Sequence, residues 1–152
     1  MSTLTWTLKF FDDLSLHQLY ALGHFRQVVF VVEQDCPYVD FDNKDQKCWH
    51  LWATDETGEL VAYTRIVPPG ISYEEVSIGR VITSQKVRGQ GVGKQLMERS
   101  VDACAAIFGR VAIRISAQSY LLKFYTELGF ENTGKSYLED GIPHNEMYLT
   151  YN

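Results

Sequence analysis

The feature that most constrains the fold is a strand whose alternating pattern breaks midway, followed by a glycine-rich turn and a long amphipathic helix. The first half of the strand predicted over residues 76–83 alternates, but Gly79 and Arg80 interrupt it and the next two apolar residues are adjacent. A glycine at such a phase slip is typical of a β-bulge. Residues 92–108 then carry apolar side chains on one helical face. We therefore predict a bulged strand that leads through a tight turn into a helix.

Strand and helix patterns alternate along the rest of the chain. Further strands are predicted at 5–10, 50–54, 60–67, 111–116, 131–137 and 146–150, and further helices from a capping box at Ser15 and Gln18 toward residue 29 and over 121–128. Residues 30–45 are predicted to be irregular and acidic. Mixed strands and helices in this order predict an α/β (α+β mixed) fold with one central sheet. The 152 residues fit one domain, so we expect a single domain over 1–152.

Charge and hydropathy exclude several classes of function. The chain has 14 Lys and Arg against 19 Asp and Glu, a net charge of −5. An acidic chain is a poor binder of nucleic acid, because affinity for phosphates comes largely from Lys and Arg. The chain has no apolar run of about 18 residues, so no membrane span is predicted. It also begins without a basic start followed by an apolar stretch, so we predict no secretory signal.

The chain has an odd and widely spaced set of three cysteines, Cys36, Cys48 and Cys104. A disulfide framework would need an even and denser set, so free thiols in a reducing cytoplasm are the better interpretation. Cys36 and Cys48 with His50 match no zinc spacing. The acidic residues nearby do not fit an EF-hand, because Lys44 and Asp45 stand at its fifth and sixth positions. We therefore predict a cytoplasmic protein without a metal.

The turn at residues 88–94 has the composition of a phosphate site. Small residues allow backbone N–H groups to point at one spot, and the N-terminus of the following helix adds about half a positive charge. A Walker A loop does not fit, because it would need glycine at Arg88 and Ser or Thr at Gln95. The dinucleotide fingerprint does not fit either, because it would need glycine at Lys94 or Leu96. The pattern that remains is Arg-x-x-Gly-x-Gly. It is either a phosphate-binding turn or a tight turn that only begins a helix.

Four segments of the chain, in the expected order, resemble one known family. Residues 78–83, IGRVIT, lead into residues 88–93, RGQGVG, and together they resemble the acyl-CoA motif of the GNAT superfamily of N-acetyltransferases. Residues 124–130, FYTELGF, are similar to the FYxxLGF helix of that superfamily. Residues 31–38, VVEQDCPY, and 139–144, EDGIPH, resemble its ElaA-like branch in particular. The resemblance covers nearly the whole chain, from about residue 14 onward.

The resemblance implies one GNAT-type domain with a central, mostly antiparallel mixed sheet that is splayed at the bulged strand and flanked by helices. It also implies acetyl-CoA as the co-substrate. The bulged strand would contact the pantetheine arm, the N–H groups of the turn would hold the pyrophosphate, and Gln118 stands where many relatives carry Asn. The cofactor-binding residues implied in this way are Val81, Ile82, Thr83, Arg88, Gly89, Gly91, Val92, Gly93, Lys94 and Gln118.

The implied reaction is the direct attack of a primary amine on the thioester of acetyl-CoA. Tyr125 would lie near the sulfur and protonate the leaving thiolate. The alternative for Tyr125 is a packing role, because it lies on the apolar face of its predicted helix. The amine must lose a proton before it attacks, and the candidates for the base are Glu33, His50 and His144. A chain of waters is an equal alternative.

The acidic residues before the second strand bear on the acceptor. Glu33, Asp35, Asp40, Asp42 and Asp45 form either a solvated polar loop or an acidic rim that attracts a cationic amine. The second interpretation predicts a positively charged small-molecule or peptide amine as the acceptor. Two other functions stay open, a transferase for longer acyl chains and an acyl-CoA-binding sensor without transfer. A homodimer is also open, since many members of the family are dimers.

Overall fold

The computed structural model of the protein describes residues 3–151. Its strands are β1 (Thr5–Phe10), β2 (Trp49–Thr54), β3 (Leu60–Val67), β4 (Ser77–Thr83), β5 (Ile113–Gln118), β6 (Glu131–Glu139) and β7 (Ile142–Leu149), and its α-helices are α1 (Leu16–Arg26), α2 (Val92–Phe108) and α3 (Leu122–Glu127). A π-helical segment, Gln27–Glu33, continues α1. The predicted elements are confirmed in order and type, and the capping box of Ser15 and Gln18 is present.

The strands form two antiparallel sheets that meet at one point. The first sheet has the order β1-β2-β3-β4, and the second has the order β5-β7-β6. A parallel bridge between Val76 and Ile113 joins them, and the N–H of Arg114 donates to the carbonyl of Val76 at 2.9 Å. Between residues 3 and 151, β4 and β5 have no further ladder pairing beyond this bridge. The predicted mostly antiparallel arrangement that splays at its bulged strand is confirmed, but it is divided into two sheets and is not one central sheet.

The bulge in β4 lies where the alternation of the sequence breaks. Gly79 and Ile82 keep their partners on β3. Arg80 and Val81 lie between them, opposite the single residue Thr64. Arg80 adopts the left-handed conformation, with a φ of 52°, which is uncommon for a residue that has a side chain. The extra residue increases the local twist of β4 at the point where the strand leaves β5.

Helical segments cover both faces of the first sheet. On one face, α2 buries Leu96 and Met97 completely. On the other face, α1 and the π-helical segment pack on Trp52, Tyr63 and Ile82. Full burial of a side chain of this size stabilises a fold by about 1.5–3 kcal/mol. The two layers therefore hold β3 and β4 from both sides.

The helical part after α1 is longer than predicted. The segment 27–33 is π-helical, and the N–H of Gln34 donates to the carbonyl of Val29 five residues earlier, at 3.2 Å. The segment buries Val29 and Phe30 against the first sheet. The irregular segment predicted from residue 30 therefore begins only after Glu33. A run of β-branched residues carried no helical periodicity by which this continuation could be recognised.

The last two strands form a tighter hairpin than predicted. β7 begins at Ile142 and not at residue 146, and Glu139 pairs with Ile142 across a two-residue turn. Asp140 and Gly141 in that turn have φ values of 51° and 77°, as in a type I′ turn. The alternation of the sequence does not reveal the full hairpin, because β6 is exposed along nearly its whole length.

Candidate active site

A cleft of about 560 Å³ lies where β4 and β5 diverge. Its walls are formed by these two strands, by residues between 34 and 44, and by the hairpin of β6 and β7. Four of the predicted site residues line it: Val81, Gln118, Tyr125 and His144. The glycine-rich turn lies outside this cleft, at the N-terminus of α2.

Tyr125 packs in the core and also borders the cleft. It is 5% exposed, and its ring meets Phe124 and Phe130 edge to face, with centroids 5.1 and 6.0 Å apart. Burial raises the pKa of Tyr125 above its usual value of 10.0, so the hydroxyl is protonated at neutral pH. A protonated hydroxyl on a fixed ring is what a proton donor to a leaving group requires.

The glycines of the turn serve the conformation of the backbone. Gly89 and Gly91 have φ values of 83° and 77°, and a Cβ at either position would meet no atom of residues 3–151 within 4 Å. The requirement for glycine is therefore conformational, and the space beside the backbone is open. The first N–H groups of α2, from Val92 onward, have no acceptor inside the helix. Such a helix end favours anions.

Arg88 bends back over the end of β4. Its Nε and Nη2 atoms donate to the carbonyl of Thr83 at 3.2 and 3.0 Å, and Nη2 lies 2.9 Å from Oε2 of Glu33. Glu33 is therefore paired beside the turn and does not line the cleft. That Glu33 is the base stays a prediction, and this arrangement does not favour it, because its carboxylate pairs with Arg88 and does not line the cleft.

His50 is a structural residue. It is 1% exposed and does not line the cleft. Its Nε2 donates to the carbonyl of Asp45 at 3.0 Å, and its Nδ1 lies 2.6 Å from the Tyr63 hydroxyl, which donates to it. Burial lowers the pKa of His50. That His50 is the base stays a prediction, and this arrangement does not favour it, because both ring nitrogens are already engaged in the interior.

His144 is the base candidate that borders the cleft. It is 6% exposed, and its ring stacks on that of Tyr137, with centroids 6.1 Å apart. Its Nδ1 lies 2.7 Å from the carbonyl of Ile142, and its Nε2 lies 3.4 Å from Oε2 of Glu139. Of the three candidate bases, His144 alone stands where it could meet an acceptor.

The aspartates of the segment after Glu33 do not form an acidic rim. Asp40 and Asp45 are each 7% exposed. These two residues and Asp42 pair with three arginines at distances from 2.7 to 3.4 Å: Arg26, Arg65 and Arg80. Asp35 is exposed. For Asp40, Asp42 and Asp45, however, both interpretations, a solvated loop and a rim that attracts cations, are wrong. Their charge is neutralised inside the protein by an equal number of arginines.

This ion network fixes one wall of the cleft to the bulge. Arg80 Nε lies 2.8 Å from Oδ1 of Asp40, and Arg80 Nη2 donates to the Asp40 carbonyl at 3.1 Å. Tyr38 donates to the same Oδ1 at 3.0 Å. The bulged residue therefore anchors the segment that faces the cleft. A sequence signal for the network existed, since Arg65 interrupts an otherwise apolar strand.

Acid should destabilise the protein through Asp42. Burial alone would raise the pKa of Asp42, but hydrogen bonds and positive charge from Arg65 lower it to about 2, whereas an unperturbed aspartate titrates at 3.8. The carboxylate of Asp42 therefore binds a proton more readily in the unfolded chain than in the folded protein. The stabilisation that the ionised carboxylate gives the fold is complete above about pH 4 and is lost as the pH falls toward 2. We expect the urea midpoint to fall over this window, and to fall less steeply for Asp42→Asn. Equal slopes would contradict the pairing.

Several polar residues of the cleft escaped the sequence analysis, among them Tyr73 and Ser116. The hydroxyl of Tyr137 donates to Oγ of Ser116. Burial, reinforced by Tyr137, raises the pKa of Tyr73, so its hydroxyl stays protonated. No sequence signal marks them, because Tyr73 follows an irregular segment and Ser116 occupies a polar position of an alternating strand.

Three further expectations concern the chain as a whole. The three cysteines are free, as predicted. Within the part of the chain that the structure describes, no group of three or more His, Cys, Asp or Glu could hold a metal ion. No helix between residues 3 and 151 is both long and apolar enough to cross a membrane.

Comparisons with known proteins agree with this architecture. Residues 24–151 match the family model described as an acetyltransferase (GNAT) domain. The crystal structure of an acyl-CoA N-acyltransferase from Pseudomonas aeruginosa has a TM-score of 0.92 and 43% identity, over 97% of this chain and 100% of that chain. Escherichia coli ElaA has a TM-score of 0.90 and 40% identity, over 97% and 99%. Aligned by sequence, ElaA of Escherichia coli is 42% identical over 148 residues, 95% of each chain.

A sheet that splays at a bulged strand, beside a glycine-rich turn at a helix N-terminus, is the framework of an acyl-CoA-dependent acyltransferase. The chain belongs to the GNAT acetyltransferase family and, by its similarity to ElaA, to the ElaA-like branch of that family. It is therefore an acyltransferase enzyme with an acyl-CoA as its co-substrate.

Proposed function

We propose that the chain is one N-acetyltransferase domain, over residues 1–152, that transfers the acetyl group of acetyl-CoA directly to a primary amine. The observation that carries the proposal is the position of Tyr125, whose protonated hydroxyl belongs to a buried ring at the cleft between β4 and β5. The acyl acceptor and the thioester would meet in this cleft.

Acetyl-CoA would bind along the diverging edge of β4. Past the bridge at Val76, this edge has no ladder partner on β5 among the residues described, so backbone groups of Val81, Ile82 and Thr83 that face away from β3 would meet the pantetheine arm. The Thr83 carbonyl would first have to give up its hydrogen bonds from Arg88. The side chain of Ile82 is buried in the core, so only its backbone can contact a ligand. Gln118 borders the cleft and offers its amide.

The pyrophosphate would bind at the glycine-rich turn. The backbone groups that would hold the pyrophosphate belong to Arg88, Gly89, Gly91, Val92, Gly93 and Lys94. The open space beside the two left-handed glycines and the unpaired N–H groups at the start of α2 support this placement. Arg88 and Lys94 add positive charge, although Arg88 is shared with Glu33 and Lys94 lies 3.9 Å from Glu98.

The transfer needs three proton movements around one substitution. The neutral amine attacks the thioester carbon, the new C–N bond forms, and the C–S bond breaks with its electron pair going to sulfur. Tyr125 gives a proton to the sulfur and recovers one from the nitrogen of the new amide. The first proton of the ammonium must leave before attack, through His144 or through water.

The acceptor would be a cationic amine of a small molecule or peptide. Because the aspartates at 40, 42 and 45 are neutralised, they do not support a cationic acceptor. The support for a cationic acceptor comes from the hairpin of β6 and β7. Glu139 and Asp140 line the cleft there, and the structure pairs neither of them with a lysine or arginine among residues 3–151. Two carboxylates at the mouth of a cleft raise the local concentration of cations.

Replacing Gly91 should weaken the binding of acetyl-CoA. Any side chain at a φ of 77° strains the turn by about 1–2 kcal/mol, and Gly91→Ala isolates that strain. Gly91→Glu adds a negative charge at the expected pyrophosphate site. We expect calorimetric titration to show Gly91→Glu binding at least about tenfold more weakly than Gly91→Ala. Equal affinities of the two variants for acetyl-CoA would mean that the turn has a purely structural role.

The function is tested by release of the CoA thiol with a panel of amines. We expect release that depends on a cationic primary amine and that is fastest with acetyl-CoA. Faster release with longer acyl chains would favour the long-chain transferase. Tight acetyl-CoA binding without release for any amine would favour an acyl-CoA sensor.

A further inference from the structure

The carbonyl of Ile142 determines which nitrogen of His144 carries a proton. A carbonyl only accepts hydrogen bonds, so Nδ1, at 2.7 Å, must be the donor. In the neutral ring, Nε2 then has a lone pair and no proton. The tight turn maintains this arrangement, because Glu139 and Ile142 are the directly paired residues that flank it.

The bare Nε2 atom faces a second acceptor. Oε2 of Glu139 lies 3.4 Å from it, and the Glu139 side chain is 50% exposed while that of His144 is 7% exposed. Nε2 of His144 and Oε2 of Glu139 are both hydrogen-bond acceptors, so at this distance they need a donor between them. That donor is the proton of an imidazolium, a water molecule, or an N–H of a cation that arrives through the cleft. Both residues line the cleft.

The ring is held in place by its neighbours. Tyr137 stacks on it at an interplanar angle of 14°, and the Tyr137 hydroxyl is fixed by Ser116. Ser116 Oγ lies 3.5 Å from the other carboxylate oxygen, Oε1 of Glu139. Side chains held in this way keep the ring nitrogen aimed at one spot, as a proton acceptor in a reaction requires.

We propose that His144 and Glu139 form a proton-accepting pair that binds the acceptor as an ammonium ion and deprotonates it. This inference rests on the proposed function and names the residues that prepare the amine. The ammonium donates to Nε2 of His144 and to the carboxylate of Glu139. One proton moves to Nε2, the neutral amine keeps its lone pair for attack, and Glu139 stabilises the imidazolium until the proton leaves to solvent. Glu139 is a positioning residue, and His144 is the base.

The charged and titratable groups around the pair come from several elements. Glu139 and Tyr137 belong to β6, Tyr73 precedes β4, and Glu146 belongs to β7. The remaining titratable residues that line the cleft are Cys36, Tyr38, Asp42, Lys44, Arg65, Arg80, Tyr120, Tyr125 and Asp140. A pH profile alone therefore does not identify the base, and the test needs a readout specific to the ring.

The first test compares acceptors of different basicity. For His144→Gln we expect a loss of kcat of about 10²-fold or more with an amine that is protonated at the assay pH, and a much smaller loss with a weakly basic amine that is already neutral. Glu139→Gln should raise the KM for a cationic acceptor about tenfold without changing the KM for acetyl-CoA. The matched controls are His17→Gln and Glu131→Gln, which alter exposed residues outside the cleft.

The second test does not depend on activity. Nitrogen-15 NMR of the free protein should show the neutral His144 ring with its proton on Nδ1. A proton on Nε2 would overturn the proposal, and so would equal losses for strongly and weakly basic amines in folded His144→Gln. If the wild-type protein acetylates no amine, the proposed function fails and this inference fails with it. If transfer persists at full rate in His144→Gln, only this inference fails.

Discussion

Replacing Tyr125 with phenylalanine should lower kcat for acetyl transfer by about 10²- to 10⁴-fold and leave the KM for acetyl-CoA nearly unchanged. The ring of Tyr125 packs edge to face on Phe124 and Phe130, and phenylalanine keeps both contacts. The variant loses only the hydroxyl of a residue that borders the cleft. A loss confined to kcat identifies a group that acts when the thiolate leaves and not when acetyl-CoA binds.

The control for this variant is Tyr120→Phe, which removes a hydroxyl from the same cleft at a residue that is 74% exposed. We expect its kcat to stay near that of the wild type. Because burial raises the pKa of Tyr125 above 10.0, the wild-type enzyme should also show no alkaline loss of kcat from this group below pH 10. Activity of Tyr125→Phe within about threefold of the wild type would contradict the acid role, since a general acid contributes about 10²-fold or more.

Replacing Asp45 with asparagine should lower the free energy of unfolding by about 3–5 kcal/mol. Oδ1 of Asp45 lies 2.7 Å from Nη1 of Arg26 and 3.0 Å from Nη1 of Arg65. Burial alone would raise the pKa of Asp45, but the charge of Arg26 lowers it, so the carboxyl is ionised. Asparagine keeps the shape and removes the charge, and two buried guanidinium groups then lose a shared partner.

Urea denaturation measures this loss, with Asp102→Asn, at an exposed position of α2, as the matched control. We expect the control to change the free energy of unfolding by less than about 0.5 kcal/mol. A change below about 1 kcal/mol for Asp45→Asn would mean that the network contributes no more than a surface ion pair. The aspartates at 40, 42 and 45 are therefore expected to affect folding first, and not the KM of a cationic acceptor.

Local patterns predicted most of the fold, because strands, caps and turns depend on neighbouring residues. The phase slip at Gly79 located the bulge to within a residue, and the capping box located the start of α1. The residue that adopts the left-handed conformation is nevertheless Arg80 and not the glycine. Its side chain is held by ion pairs with distant aspartates, and no local pattern contains that information.

The site was predicted less completely, because its parts meet only in the folded chain. The sequence marks Tyr125 and His144 as candidates, but it gives Glu33 and His50 the same weight as His144. What distinguishes these two from His144 is their tertiary partners, the guanidinium of Arg88 for one and the interior of the sheet for the other. Glu139 belongs only to the segment 139–144 in the sequence analysis, since the hairpin register that brings it to His144 follows from pairing between strands.

The most direct test of the central claim follows the acetyl group itself. The purified protein would be incubated with acetyl-CoA carrying a carbon-13 carbonyl and with a cationic primary amine, and the carbonyl signal would be followed by NMR. We expect the thioester signal to be replaced by an amide signal in step with the appearance of free CoA thiol. An unchanged thioester with every amine offered, or conversion to free acetate alone, would contradict direct acetyl transfer to an amine.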